Sequence, residues 1–246
     1  MKIDYKLYKP TLDSLTPQQQ ILYNRDIPVE EQSNWLNAYW NDVNDFHLLK
    51  NIKDAAGMII DHCMYTSSKI TILQDCDCDG LTSSAIIANY IHRICSKEPT
   101  ILIHEGKVHG LADINLDNII KTTSLLIIPD AASNDYEQLK YLHNNGVDIV
   151  IADHHHCEKY SEDAIVVNNQ LDDYPNKSFC GAGVTWQLCR QMDEMCHFDY
   201  ANDLVDLCAL GLCGDMMNYH EKEVRALVNI GYANVKNKFF KAFVDK

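Results

Sequence analysis

The chain has 246 residues, enough for one large or two small domains. Its 46% hydrophobic and 23% charged residues, with only 10 Gly and 6 Pro, exclude a mostly disordered or collagen-like polymer. Its 35 acidic against 21 basic residues leave a net charge of −14, which repels a polyanion at long range and counts against a simple duplex-DNA binder. No apolar run reaches the roughly 18 residues of a membrane span, and the first residues lack the apolar stretch of a secretory signal. A soluble, cytoplasmic protein with no membrane partner is expected.

Helices dominate up to residue 69. The stretches Pro17–Asn24, 29–39 and 47–64 carry apolar residues at three- and four-residue intervals, as Leu48, Leu49, Ile52, Ala55, Ala56, Ile59 and Ile60 do. That spacing predicts amphipathic helices and a helical N-terminal extension over residues 1–69. From residue 70 onward short β-branched runs take over: ITIL at 70–73, TILI at 100–103, LLII at 125–128, DIVIA at 148–152 and AIVV at 164–167. The segments 82–96, Leu116–Thr122 and 134–145 between them predict crossover helices. The expected fold class is therefore α/β, a parallel five-stranded sheet flanked by helices over residues 70–235. Helices at 183–195 and 200–210 follow, and residues 236–246, KNKFFKAFVDK, form a short basic amphipathic patch suited to a partner.

The 10 cysteines contain no C-x-x-C pair, and a zinc site using Cys76, Cys78 or the Cys208/Cys213 pair matches no common ligand spacing. Carboxylates and imidazoles are the stronger signal. The first strand runs into Gln74-Asp75-Cys76-Asp77-Cys78-Asp79-Gly80, placing acids at every second position, which strand alternation would point the same way. The third strand ends in Pro129-Asp130 and the fourth in Asp153-His154-His155-His156. All of these fall at the carboxyl edge of the sheet, where ligands bind in open α/β folds. Gly214-Asp215, after the helix at 200–210, is placed to close the site from the side.

Taken singly, each piece has a plain explanation. Asp79-Gly80 reads as a turn, an Asp after a strand as a helix cap, and three histidines as a polar loop. Their coincidence at one sheet edge points to metal binding instead, since so many carboxylates repel one another unless cations neutralise them. Oxygen and imidazole donors without a well-spaced thiolate suit manganese or magnesium. Two such ions sharing a carboxylate would activate a water and clamp a phosphoryl group. Cys180-Gly181-Ala182-Gly183 before a helix either presents N–H groups of Gly181 and Gly183 to a phosphate or allows close helix packing.

These residues carry a family resemblance. ITILQDCDCDGLTSSAII resembles the first motif of the DHH phosphoesterase superfamily, and IADHHH contains its Asp-His-His signature. The likeness is closest to the RecJ-like branch of single-strand-specific exonucleases. The segment 18–59 resembles that branch's helical lead-in, LLIIPDAASND its second motif, SFCGAGVTWQL its Gly-rich helix start and DLCALGLCGDMMN its fourth motif. The resemblance implies Asp77 and Asp79 as metal ligands, Asp75 as an additional ligand or a carboxylate supporting them, and Asp130 bridging two Mn2+ or Mg2+ ions. It further implies His154 and Asp215 on the second ion, His155 on the scissile phosphate, and Asp153 orienting a histidine.

Two departures stand out. RecJ-like nucleases carry a further C-terminal, DHH-associated domain that closes over the substrate, whereas this sequence stops at Lys246. The expectation is a second chain supplying that cover, or a short substrate; in the family the 236–246 segment would be the stub of a linking helix. The loop HEGKVHGLAD stands where the family has an Arg and an Asp-Gly-Tyr-Gly-like turn, leaving His104, Lys107 and His109 as cationic candidates for substrate phosphate. The resulting expectation is a metal-dependent phosphodiesterase degrading single-stranded DNA from an end, with catalysis by Asp130 and His155. Two alternatives stay open: a phosphodiesterase or pyrophosphatase for short oligonucleotides or cyclic dinucleotides, and a non-catalytic scaffold in DNA replication or repair.

Overall fold

The computed structural model describes residues 9–103, 109–171 and 173–244. Two compact units divide the chain, Met1–Ala38 and Tyr39–Lys246. In the smaller unit, helix α1 (Pro17–Asn24) opens on a capping box: the Gln19 N–H donates to Thr16 Oγ1 at 3.3 Å, and the Thr16 N–H donates to Gln19 Oε1 at 2.9 Å. Pro17, with no N–H to satisfy, sits at the first helical position. The single helix expected over 29–39 is instead a 3-10 turn, Val29–Glu31, followed by the short α2 (Gln32–Leu36). Asn37 closes α2, because both its N–H and its side-chain amide donate to the Ser33 carbonyl.

The larger unit also takes in residues 39–69, which the helical pattern groups with the N-terminal extension. The helix expected over 47–64 is broken after a 3-10 turn (Phe46–Leu48), and Asn51, with a left-handed φ of +61°, is the N-cap that starts α3 (Ile52–Met64). Asn tolerates this conformation, and its side chain donates to the Val166 carbonyl at 3.0 Å, fastening the turn to the sheet. One face of α3, formed by Ile52, Ala55, Ala56, Ile59 and Cys63, is buried.

Five parallel strands follow with their crossover helices: β1 (Ile70–Gln74), α4 (Cys78–Cys95), β2 (Thr100–Ile103), α5 (Leu116–Thr122), β3 (Leu125–Pro129), α6 (Tyr136–Asn144), β4 (Asp148–Asp153) and β5 (Ile165–Asn168). Their order in the sheet is β2-β1-β3-β4-β5, all parallel as the alternation of strand and helix predicts. The chain leaves β1 to one side for β2 and to the other for β3, so the topological switch lies between β1 and β3. Loops diverge there and leave a crevice at the carboxyl ends of both strands. Leu126 and Ile128, two residues apart on β3, join Leu139 and Leu142 of α6 and Ile149 and Ile151 of β4 in one buried cluster.

Four helices complete the unit: α7 (Gly181–Cys196), α8 (Val205–Gly214), α9 (Lys222–Ala233) and α10 (Lys238–Val244). The expected helix at 200–210 is a 3-10 turn (Ala201–Leu204) leading into α8, which runs on to Gly214. Sequence reasoning missed α9, although Val224, Leu227, Val228 and Gly231 mark a buried face at helical spacing. In α10, Phe240 is buried and meets the Tyr232 ring edge-on at 5.5 Å, so part of the 236–246 patch is packed inside this unit. No described helix is long and apolar enough to cross a membrane. The Leu139→Ala variant, which opens a cavity under the fully buried face of α6, is expected to lose about 2–5 kcal/mol in urea unfolding with an unchanged m-value.

Candidate metal centre

The acidic run after β1 is not an extension of the strand. β1 ends at Gln74, Asp77 is the N-cap of α4, accepting the Gly80 N–H at 2.8 Å, and Asp79 lies in the first helical turn. Strand alternation therefore does not orient these acids; the strand-to-helix turn does. Asp75 and Asp79 are buried and Asp77 is exposed. Gly80 makes the tight turn possible, since a Cβ there would lie 2.6 Å from Asp75 Cβ.

Asp79 reaches across to the start of α7. Its Oδ2 accepts the Gly181 N–H at 2.6 Å and its Oδ1 the Ala182 N–H at 2.9 Å, so the positive end of the helix dipole stabilises its charge. The Gly-rich helix start thus holds a protein carboxylate. Gly181 has no N–H left for a substrate phosphate, and Gly183 is buried against Phe179, where a Cβ would come within 2.6 Å of the ring. The phosphate-cradle reading of Gly181 and Gly183 is replaced by close packing: a Cβ on Gly181 would meet Asp130 Cβ at 2.6 Å.

Asp130 leaves β3 with a left-handed φ of +67°, a conformation few residues other than Gly, Asn and Asp adopt, and Ala132 follows at +72°. The turn aims the buried carboxylate back over the switch point, with Oδ1 3.2 Å from His154 Nε2. On β4, Asp153 is fully buried and turned into its own loop. Its Oδ1 accepts the backbone N–H groups of His154 and His155 and the Nδ1–H of His155 at 2.8 Å, while Oδ2 accepts the Ser133 N–H. Burial alone would raise the Asp153 pKa, but the bonds from His155 and Ser133 hold it down at about 2. The same bond to Asp153 raises the pKa of His155.

His154 Nε2 also lies 3.6 Å from Asp215 Oδ2 and 3.9 Å from Asp79 Oδ2. Three sets of donors result, each with its ligand atoms within 4.8 Å of one another: Asp75, Asp77 and Asp130; Asp130, His154 and His155; and Asp79, His154 and Asp215. Asp130 and His154 each belong to two sets. Asp75 Oδ1, Asp130 Oδ1 and Asp215 Oδ2 are buried without a hydrogen-bond partner, a costly state for carboxylate oxygens. Burial, and then the charges of Asp79, Asp153 and Asp77, push Asp130 up to about 11, and burial also raises Asp215. A divalent cation held by these residues would satisfy the orphaned oxygens and remove the repulsion. The donors are oxygen and imidazole nitrogen; none of the ten free cysteines belongs to these sets.

The structure thus brings Asp75, Asp77, Asp79, Asp130, His154, His155 and Asp215 together, with Asp153 behind His155. His109 bonds Asp75 Oδ2 through Nδ1 at 2.7 Å. His104 and Lys107 lie outside the described residues. Sequence reasoning missed Ser133 and Asn168. Asn168 Nδ2 donates to the His155 carbonyl and to Ser133 Oγ, both at 3.0 Å, and so pins the loop after β4. Its position at the carboxyl end of β5, the same sheet edge, is the signal that could have found it. Gly211 of α8 was also missed; a Cβ there would sit 2.7 Å from Asp79 Oδ1. A separate cavity of about 720 Å³, lined by Asn89, Arg93, Asp203, Lys236 and Phe239, lies at the far end of α4.

Fold and site together define a parallel α/β protein with a donor cluster for hard divalent cations at its topological switch point. The sequence model of the DHH family, N-terminal domain, matches residues 69–212, and the chain belongs to that family. It is 36% identical over 246 residues to YorK of Bacillus subtilis strain 168, provisionally named an SPbeta prophage-derived single-strand DNA-specific exonuclease. That match covers 99% of this chain and 42% of the relative. It is 25% identical over 190 residues to the single-stranded-DNA-specific exonuclease RecJ of Thermus thermophilus, covering 76% of this chain and 28% of that one. Among solved structures, exonuclease RecJ bound to manganese superposes with a TM-score of 0.68 at 25% identity, over 75% of this chain and 48% of that one. The chain therefore spans less than half the length of these relatives.

Because Asp130 sits above the ordinary 3.8 and reaches about 11, the native state between those values keeps a proton that the unfolded chain releases. Stability in chelator should therefore fall as pH rises through that window. Asp130→Asn removes the charge and keeps a side chain suited to the left-handed turn. In EDTA at pH 8 it should be more stable than the natural protein by roughly 1–3 kcal/mol, yet gain less from Mn2+ than the natural protein does. An Asp130→Asn protein that is no more stable in EDTA contradicts this account. Gly211→Ala should displace Asp79 and reduce Mn2+-induced thermal stabilisation, read by differential scanning fluorimetry.

Proposed function

We propose that the protein is a metal-dependent phosphodiesterase of the RecJ type, holding two Mn2+ or Mg2+ ions and removing nucleotides from an end of single-stranded DNA. A place in DNA repair would follow from that substrate. The observation that carries this reading is the linking of three neighbouring donor sets through Asp130 and His154, which would offer two cations adjacent ligands. Support comes also from the relatives named for single-strand-specific exonuclease activity, matched here over 99% and 76% of this chain. Asp75, Asp77 and Asp130 would hold one ion, and Asp79, His154 and Asp215 the other, with Asp130 between them. When bound, such a pair supplies Lewis acidity to the phosphoryl group and to a nucleophilic water.

The chain's own residues do the rest. Asp153 fixes the His155 ring through Nδ1, which leaves Nε2 to donate to a phosphoryl oxygen. The raised pKa of His155 favours the protonated, donating ring as negative charge grows in the transition state. Asp79, clamped by the first N–H groups of α7, keeps its place without help from a ligand.

The test is release of mononucleotides from end-labelled single-stranded DNA with Mn2+, set beside duplex DNA, a dinucleotide and a cyclic dinucleotide at several salt concentrations. Activity confined to the single strand, weakening steeply with salt, is the expected result. The net charge of −14 favours a second reading, a small-substrate phosphodiesterase; preference for the dinucleotide with little salt dependence would select it. Asp130→Ala should lower turnover at least ~100-fold, on the scale of losing a metal-holding carboxylate. A metal-loaded protein that cleaves none of the four substrates overturns both readings.

A further inference from the structure

Asp75 is enclosed, and its two carboxylate oxygens have different surroundings. Its side chain is 1% exposed, Oδ1 has no hydrogen-bond partner, and Oδ2 meets His109 Nδ1 at 2.7 Å. A carboxylate can only accept, so Nδ1 carries the proton in this bond. Asp75 offers one oxygen to the donor set it shares with Asp77 and Asp130, and Oδ1 is the one with no other partner.

His109 is itself held firmly. The next residue, Gly110, has a φ of +82°, and a Cβ there would collide with the Asp135 carboxylate. Leu111 follows, buried at 1% exposure, with its N–H donating to Asp135 Oδ2 at 2.6 Å. Two linked constraints, a left-handed glycine and an anchored leucine, therefore fix the backbone that presents the imidazole. The ring keeps a side-chain exposure of 55% and its centroid lies 6.0 Å from that of His155, so it stands at the rim of the crevice.

We propose that His109 is a positioning residue for one of the two metal positions: by taking Oδ2 it fixes the Asp75 carboxylate so that Oδ1 serves the set completed by Asp77 and Asp130. This role rests on the metal-dependent reading above and goes beyond it. It assigns His109 to a single position, because the donors of the other one, Asp79, His154 and Asp215, form a set without it. A histidine arriving from the loop after β2 thus acts on the acidic turn after β1. Its influence is on metal retention first and on substrate only through the metal.

The test is Mn2+ binding without any nucleic acid, followed by isothermal titration calorimetry and by the electron paramagnetic resonance of free Mn2+, on the whole chain. The natural protein, His109→Ala and His109→Asn are compared. Asparagine places an amide N–H near the Nδ1 position and so retains the donor. His109→Ala should bind one Mn2+ normally and the second about ten- to a hundred-fold more weakly, and His109→Asn should restore most of that loss. In thermal unfolding in EDTA all three should be folded, His109→Ala somewhat less stable because Asp75 Oδ2 loses its donor and His109→Asn close to the natural protein. In DNA cleavage at saturating Mn2+, His109→Ala should recover kcat with KM unchanged.

Unchanged Mn2+ affinity in His109→Ala, or a rise in KM alone, would assign His109 to the substrate and overturn the proposal. Equal weakening of both ions would overturn it too, as would the absence of rescue by His109→Asn. If the natural protein binds Mn2+ and His109→Ala loses one site but no substrate is cleaved, the positioning role stands and the nuclease reading falls. Failure of the natural protein to bind Mn2+ removes both.

Discussion

The centre of this structure is a crowd of carboxylates that cannot all be charged without cations. Asp75, Asp79 and Asp130 are almost completely buried, and Asp77 and Asp215 stand beside them. In a metal-free protein the repulsion falls on Asp130, which burial and its neighbours drive toward the neutral form. Three buried acid oxygens lack any hydrogen-bond partner. An arrangement of this kind is unfavourable as a piece of folding and reasonable as a receptor for divalent ions. The local destabilisation is the counterpart of affinity, because binding energy is realised where the apo site is least satisfied.

Much of the surrounding architecture serves to keep these acids in place. The α7 N-terminus is aimed at Asp79, and glycines at 80, 181 and 211 allow backbone and carboxylate to approach closer than any side chain would permit. Asp153 gathers the amides and one imidazole of the loop after β4. Ser133, in the turn after β3, and Asn168, at the end of β5, support that loop. Each helper is rigid because it belongs to, or closely follows, a strand or helix of the sheet, which is how such a site keeps its geometry.

The sheet was legible because parallel strands buried on both faces read as continuous apolar runs, and LLII and DIVIA are such runs. The acids at their ends were legible for the same reason: the carboxyl edge of a parallel sheet follows directly from strand direction. The orientation of the first acidic run was not, since the sequence pattern cannot separate a strand that continues for five residues from a helix that begins after three. α4 begins at Cys78 because the Asp77 side chain caps it, a decision made by one hydrogen bond. The glycines of α7 were misread for a related reason. A helix N-terminus attracts any anion, and only coordinates say whether the anion is a ligand or a carboxylate 102 residues away in sequence.

What the sequence settled by itself is the alternation of strand and helix, the parallel sheet, and the membership of the acidic and histidine clusters in one edge of it. These depend on local periodicity and on residue type, which are written along the chain. The family resemblance implied that Asp153 orients a histidine and that Asp215 joins His154, and the three-dimensional structure gave those pairs their geometry. It alone joined Asp79 to α7 and brought His109 onto Asp75. Most of those pairings link segments tens of residues apart, and their distances are fixed by side-chain packing, which no one-dimensional pattern encodes.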